Sequence, residues 1–409
     1  MKQLTAIVLG AGSRGNVYAD YALSHPEELK IVAVAEPDQE RRTAFQAKHA
    51  LPDDRCFATW EELLELGKIA DVCFVCTMDQ MHYQPSIQAL RLDYDLLLEK
   101  PISPSKQECE EIAQLASERG RKVLVCHVLR YTPFFRLLKQ LLTEGRIGEI
   151  VSIQHNENVG NLHHSHSFVR GNWRNSKESS PMILQKCCHD MDILQWLAES
   201  EVDSIVSFGD RKYFRIENAP EDAPAYCLDG CRHSLTCPYF APKVYLSEDN
   251  WMRHVVAVDA SNENLSKVLK TSPYGRCVFR CDNDVVDHQV ANIVFKNGIT
   301  VAFTMCAFTH LTDRTIKIMG TKGEIRGIMS EEDRIEVYDF ETGVKAVYQP
   351  GANEAGHGGG DEGIMSDLVR YINGYPVSTA VTDISISLRS HQMCFDAERS
   401  RLEGVIIKH

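Results

Sequence analysis

Thr5 to Leu9 is a run of β-forming, mostly apolar residues that stops at Gly10, and a helix-like stretch starting at Asn16 follows it. The same change of period recurs along the first third of the chain. Lys30–Ala35 precedes a polar helix over Pro37–His49, and Cys56–Thr59 precedes a short helix at Trp60. Ala70–Thr77 is an almost unbroken apolar run, as a parallel strand buried on both faces requires, and a helix follows over Pro85–Leu92. Asp95–Leu98 leads through Glu99-Lys100-Pro101 into an amphipathic helix over Ser105–Gly120, and Lys122–Val128 is a sixth strand. Strands alternating with helices predict a doubly wound parallel sheet, with its ligand crevice at the carboxyl ends of the strands.

After about Arg130 the pattern changes. Pro133–Glu144 reads as a helix, and Gly148–Glu157 opens a region of longer strands. Ala291–Phe308 is two alternating strands around Asn297-Gly298, a strong hairpin signal, and Thr315–Met329 and Ile335–Tyr348 predict two more. Met182–Leu197 and Asp383–Glu403 predict helices, and Asp361 in the loop Gly356–Asp361 is placed to cap another. No internal repeat or low-complexity segment interrupts this order. The α/β chain therefore divides into a dinucleotide-binding domain, residues 1–128, and an α+β domain, residues 129–409, with a large, mostly antiparallel open sheet.

The first strand ends in Gly10-Ala11-Gly12-Ser13-Arg14-Gly15. Gly10 permits the tight turn, Gly12 lets the backbone approach a pyrophosphate, and Gly15 lets helix and strand pack closely. The phosphates would sit on free N–H groups at the helix N-terminus, near Ser13 and Arg14. Glu36 ends the second strand, near the offset expected of the acid that binds a ribose 2′-hydroxyl, and so favours NAD. Arg41 and Arg42 keep NADP open. A glycine turn of some other α/β protein is the competing reading. Cys76, Thr77, His82, Glu99 and Lys100 end neighbouring strands or follow them and join the cofactor set.

A hydrophobic fraction of 44% and a charged fraction of 25% are those of a globular protein. A net charge of −13 argues against nucleic acid or an anionic membrane as the main partner. The chain begins directly on a strand, with no leader pattern, and no apolar run is long enough to span a bilayer. The 14 cysteines include several in core strands, where a thiol packs as a small hydrophobe, so a reducing, cytoplasmic setting is expected.

Four constellations carry candidate chemistry. Lys100, in the crevice, could hydrogen-bond a substrate hydroxyl as hydride leaves carbon; a Glu99–Lys100 surface salt bridge is the alternative. On one continuous helix, Lys186, His189 and Asp190 share a face and form an acid–base set, with Asp192 offset toward substrate. A buried histidine satisfied by a carboxylate is the alternative there. His166, Arg170 and Trp173 are residue types that bind sugars, and His164 with His166 has strand or loop spacing for a metal; an ordinary surface loop competes. Cys227, Cys231 and Cys237, with Cys281 as one choice of fourth ligand, are a candidate structural zinc site; free or redox-active thiols are the alternative.

These features, in this order, resemble the Gfo/Idh/MocA oxidoreductases: Gly10-x-Gly12-x-x-Gly15, Glu36, Val75-Cys76-Thr77 with His82, Glu99-Lys100-Pro101 and His189-x-x-Asp192. The resemblance implies a nicotinamide cofactor, a sugar-like or cyclitol substrate, and an open second-domain sheet that serves a homodimer or homotetramer. It implies that Lys100 is the catalytic or orienting lysine and His189 the acid–base residue. One departure stands out: the aspartate that inositol dehydrogenase-like proteins place four residues before the histidine is Gln185 here. Three functions are therefore carried forward. The first is net oxidation of a carbinol, and the second is redox-neutral glycoside hydrolysis with recycling NAD. The third is a non-catalytic NAD-binding sensor.

Overall fold

The computed structural model describes residues 1–247, 250–351 and 356–409. Six strands, β1 (Leu4–Leu9), β2 (Leu29–Ala35), β3 (Cys56–Phe57), β4 (Val72–Val75), β5 (Asp95–Leu98) and β6 (Val123–Val125), form the first sheet. All pairs are parallel, in the order β3-β2-β1-β4-β5-β6. The order reverses between β1 and β4, the switch point at which a crevice opens. Successive residues of β1 enter different cores. Ala6 and Val8 face the core shared with the rest of the chain, while Ile7 and Leu9 pack with Leu63, Ile87 and Ile112 on the other side. Burial on both faces explains the unbroken apolar runs.

Local chemistry sets the helix limits. The helix Gln39–His49 starts two residues later than its polar run because the Asp38 side chain accepts from Arg41 N–H. Thr59 and Glu62 close a capping box on Trp60–Leu64. Gly120 ends Lys106–Arg119 in the left-handed conformation that a residue without Cβ adopts freely.

The second sheet holds β7 (Ile150–Asn158), β8 (Val202–Asp210), β9 (His288–Phe295), β10 (Thr300–Cys306), β11 (Asp313–Gly320), β12 (Gly323–Met329), β13 (Arg334–Asp339), β14 (Lys345–Tyr348) and β15 (Ile407–Lys408). Its order is β14-β13-β12-β11-β7-β10-β9-β8-β15, antiparallel except for β7 and β10. The Asn297-Gly298 hairpin pairs Val294 with Thr300, with Gly298 at φ +88°. One face packs on the core. The other leaves Phe208 and Val290, directly opposed on β8 and β9, open.

Two sequence expectations are corrected. Asp361 does not cap the helix Gly360–Ile372; Gly359 occupies the cap position, and Asp361 in the first turn pairs with Arg14. The helix expected over Met182–Leu197 is two pieces, Met182–Gln185 and Cys188–Ala198, interrupted at Lys186-Cys187. Across the interruption Lys186 and Asp190 still join one buried network through Glu157 and Arg314, whereas His189 packs on His127. No helix among the described residues is long and apolar enough to cross a membrane.

Candidate active site at the strand ends

The glycine turn has the shape its spacing requires. Gly10 sits at φ +91°, and a Cβ there would meet the Cys76 carbonyl oxygen at 2.6 Å. A Cβ on Gly15 would lie 2.0 Å from the Gly10 carbonyl oxygen. Above Gly12 there is open space, with nothing within 4 Å. The helix Ser13–Ser24 begins there with no side-chain cap, so its first N–H groups are left for an anion. Glu36, buried, accepts from Ala11 N–H at 2.7 Å and from Asp38 N–H at 3.0 Å. Its carboxylate therefore lies against the turn. Arg42 donates to the Glu36 and Pro37 carbonyls, which turns it away from a 2′-phosphate. These residues fit a dinucleotide.

Arg14 does not face that space. Its Nε donates to Glu99 at 2.9 Å, and its Nη2 donates to the Tyr18 hydroxyl and to Asp361, the latter at 2.5 Å. Tyr18 in turn donates to Glu99 at 2.7 Å. Burial alone would raise the Glu99 carboxyl; the Arg14 and Lys100 charges outweigh it and hold the group below its ordinary value. His82 is likewise spoken for. It is fully buried between the Pro101 carbonyl, 2.6 Å from Nδ1, and the Thr77 carbonyl, 3.0 Å from Nε2, and braces two strand ends. Thr77 donates to the Met81 carbonyl at 3.0 Å. Burial pushes the Cys76 thiol well up, so it stays protonated.

Lys100 crosses to the second domain, where its Nζ donates to the Gln185 carbonyl at 2.8 Å. Gln185 ends the short helix four residues before His189, and the His127 ring that packs on His189 also feels the Lys100 charge. His189 packs edge-on to His127 at the end of β6, with ring centroids 5.8 Å apart.

Lys186 and Asp190 go elsewhere. Lys186 pairs with Glu157 of β7 at 3.4 Å. Asp190, fully buried, takes His155 Nε2 and Arg314 Nε, each at 2.8 Å, and Arg314 also binds Glu157. Burial opposes the Asp190 charge, but Arg314 and His155 win and hold the carboxyl at about 2. A carboxylate so firmly ionised is no general acid near neutrality, which corrects the acid–base set drawn on one helix face. Asp192 is not presented to substrate either. It is buried against Arg130, with Nε and Nη2 each at 2.6 Å.

Of the sugar-contact residues, Arg170 is fully buried and donates to the Arg276 and Tyr239 carbonyls at 2.8 and 2.7 Å, so it braces the segments that carry Tyr239 and Arg276 rather than facing a ligand. His166 is buried, bonded to the Tyr245 hydroxyl at 2.9 Å and stacked on Tyr274. Trp173 donates to Asp79 at 3.4 Å across the crevice. His164 packs on Phe214, away from His166's partners.

The zinc expectation is corrected. Among the described residues no group of three or more His, Cys, Asp or Glu side chains is arranged to hold a metal, so Cys227, Cys231, Cys237 and Cys281 do not form a ligand set. Cys227 Sγ instead lies 3.7 Å from the Arg170 guanidinium, and burial pushes the Cys281 thiol up to about 11.

Sequence reasoning missed three residues. His127 lies two residues beyond β6, and the strand-end rule that singled out Glu99 would have included it. Asp79, buried in the loop after β4, accepts from Ser179 and Ser180 and so ties the two domains together. Asp361 meets Arg14 only in the fold.

Comparison with known proteins bears on the same residues. A profile described as oxidoreductase family, NAD-binding Rossmann fold, matches residues 4–127, and one for that family's C-terminal alpha/beta domain matches 139–402. Bacillus subtilis YteT is 24% identical over 330 residues, 76% of this chain and 74% of its own length. Inositol 2-dehydrogenase of Corynebacterium glutamicum is 26% identical over 50% of this chain and 57% of its own. Escherichia coli 2,7-anhydro-N-acetylneuraminate hydratase is 22% identical over 63% of this chain and 66% of its own. The structure of an aldose-aldose oxidoreductase from Caulobacter crescentus shares the fold over 100% of both chains, with TM-score 0.71 and 12% identity.

Proposed function

The chain belongs to the Gfo/Idh/MocA oxidoreductase family, and from that premise we propose that it is an NAD-dependent enzyme acting at a ring carbinol carbon of a sugar, glycoside or cyclitol. The observation that carries this reading is the Lys100 to Gln185 hydrogen bond of 2.8 Å, which brings the strand-end lysine across to the segment that leads into His189.

Residues Gly10 to Gly15 and Glu36 would hold NAD, which when bound supplies the hydride acceptor. The Glu36 carboxylate and the tethered Arg42 favour NAD over NADP. Lys100 donates a hydrogen bond to the substrate hydroxyl and stabilises negative charge growing on its oxygen. His189 accepts the hydroxyl proton. The Asp79–Ser180 and Arg14–Asp361 contacts close the two domains around the reacting atoms and exclude water. We take residues 1–128 as the cofactor domain and 129–409 as the substrate and oligomerisation domain of a cytoplasmic homodimer or homotetramer. The open sheet face with Phe208 and Val290 supports that assembly.

Redox-neutral chemistry on a glycoside with recycling NAD is the second reading, favoured by the relative named as an anhydro-sugar hydratase. One experiment separates the two. The purified protein is examined for retained nicotinamide, then incubated with free sugars and polyols plus NAD, and with aryl glycosides without added cofactor. Stoichiometric NADH from a free sugar supports net oxidation. Aglycone release without net NADH supports the second reading, and no product in either arm removes this substrate class.

A further inference from the structure

His127 lies between two other imidazoles at the end of β6. Its ring centroid is 5.8 Å from that of His189 and 5.5 Å from that of His391, both edge-on. It is fully buried, and neither its Nδ1 nor its Nε2 has a hydrogen-bond partner among the described residues. His391 cannot serve it. That ring accepts from Ile102 N–H through Nε2 at 2.9 Å and faces the Ser387 carbonyl with Nδ1 at 2.8 Å, so both nitrogens are engaged.

The charges around His127 fix its state. Burial, then the Arg130 and Lys100 cations, hold it well below the ordinary imidazole value, and the Glu99 carboxylate opposes them only weakly. His127 is therefore neutral, with one N–H donor and one lone pair. It cannot store a proton for Lys100 or His189. Buried polar atoms are satisfied in folded proteins with few exceptions, and the exceptions call for a reason such as a ligand or a catalytic role.

We propose that His127 is a ligand-binding residue of the crevice, one nitrogen of its neutral ring, as donor or as acceptor, meeting a neutral hydrogen-bonding group of the ligand. On the functional reading above, on which this inference rests, two sources bring that chemistry: the carboxamide of the nicotinamide ring and a hydroxyl of the carbohydrate. A phosphate or carboxylate would instead call for the charged imidazole. The contact with His189 sets the bound group beside the acid–base residue.

The test uses the full chain and the variants His127→Phe, which keeps a ring and removes both nitrogens, and His127→Gln, which keeps a donor and an acceptor. Three quantities are measured: the thermal midpoint without ligand, NADH affinity by fluorescence titration, and the midpoint shift on adding myo-inositol or D-glucose to the NADH complex. Replacing an unpartnered buried imidazole by a phenyl ring leaves the ligand-free midpoint unchanged or raised. If the carboxamide is the partner, His127→Phe weakens NADH by about tenfold, and His127→Gln recovers most of it. If the hydroxyl is the partner, NADH binding is unchanged and the polyol shift is lost in His127→Phe alone. Wild-type-like behaviour of His127→Phe in both arms overturns the assignment. So does an equal fall of the ligand-free midpoint in both variants, the mark of a packing role. Failure of the wild-type protein to bind NADH overturns the cofactor reading itself.

Discussion

The Arg14 guanidinium and the Asp361 carboxylate meet across the two domains, Nη2 to Oδ1 at 2.5 Å, although 347 residues separate them in the chain. Arg14 belongs to the glycine turn and also holds Glu99, so one side chain fastens the phosphate loop, the strand-end Glu99-Lys100-Pro101 and the second domain. Removing Asp361 leaves Arg14 its Glu99 partner, so what is lost is one charge-assisted pairing. Asp361→Asn is expected to cost about 1.5 kcal/mol of stability in urea unfolding. It should also speed NADH release in stopped-flow fluorescence, because domain opening no longer breaks this pair. An unchanged release rate would show that the contact does not gate the crevice.

Glu36 makes its bonds to the glycine turn without cofactor, so its carboxylate is set in place before binding. Glu36→Gln keeps the size and loses the charge. A hydrogen bond to a charged group contributes about 1.5–3 kcal/mol, so NAD should bind roughly ten- to a hundredfold more weakly. NADP should gain little, since Arg42 stays committed to the Glu36 and Pro37 carbonyls. Titration with both dinucleotides checks this, and a variant that comes to prefer NADP would place a free cation at the ribose.

Much of this was legible in the sequence, for physical reasons. The glycine spacing, the buried strands and the Asn297-Gly298 hairpin are local constraints, and each is met where the pattern puts it. Periodicity assumes one continuous helix and does not announce the interruption at Lys186-Cys187, but the acid–base set fails for another reason: Lys186 and Asp190 are taken up by Glu157 and Arg314, which the local sequence does not show. Asp190 pairs with Arg314, a partner 124 residues away. Residue type pointed to Arg170 as a sugar ligand, but only the fold shows that its guanidinium is buried against the Tyr239 and Arg276 carbonyls. Charge partners at long range are what one sequence conceals.

Asp190 gives stability a pH dependence. Its folded pKa, about 2, lies below the ordinary carboxylate value of about 3.9. A depressed acid contributes stability that is present above the unfolded value and is lost as pH falls through the folded one. The difference in unfolding free energy between the wild-type protein and Asp190→Asn should thus be full above about pH 5 and narrow toward pH 2. Glu157, raised by burial, works in the opposite direction, so its contribution falls as pH rises; the Asp190 charge is among the causes that raise it and the two share Arg314, so Asp190→Asn lowers Glu157 as well. Denaturant curves at several pH values read the effect, and a difference that does not vary with pH would remove Asp190 as its source.

Lys100 and His189 should separate from Asp190 in kinetics as they do in space. Lys100→Met removes the hydrogen bond to the Gln185 carbonyl and the charge proposed to face the substrate hydroxyl. His189→Phe removes the proposed proton acceptor but keeps a ring against His127. Each should lower kcat by about 10²- to 10⁴-fold, the usual worth of acid–base catalysis, while NADH binding changes only severalfold. Asp190→Asn should act mainly on stability, with a smaller loss of kcat, because its carboxylate faces Arg314 and His155 rather than the crevice. The turnover assay is the one that identifies the substrate, whether it follows NADH or released aglycone. Equal losses of kcat in all three variants would mean that Asp190 reaches the reacting atoms in the closed enzyme, and the division between the catalytic pair and the buried network would fall.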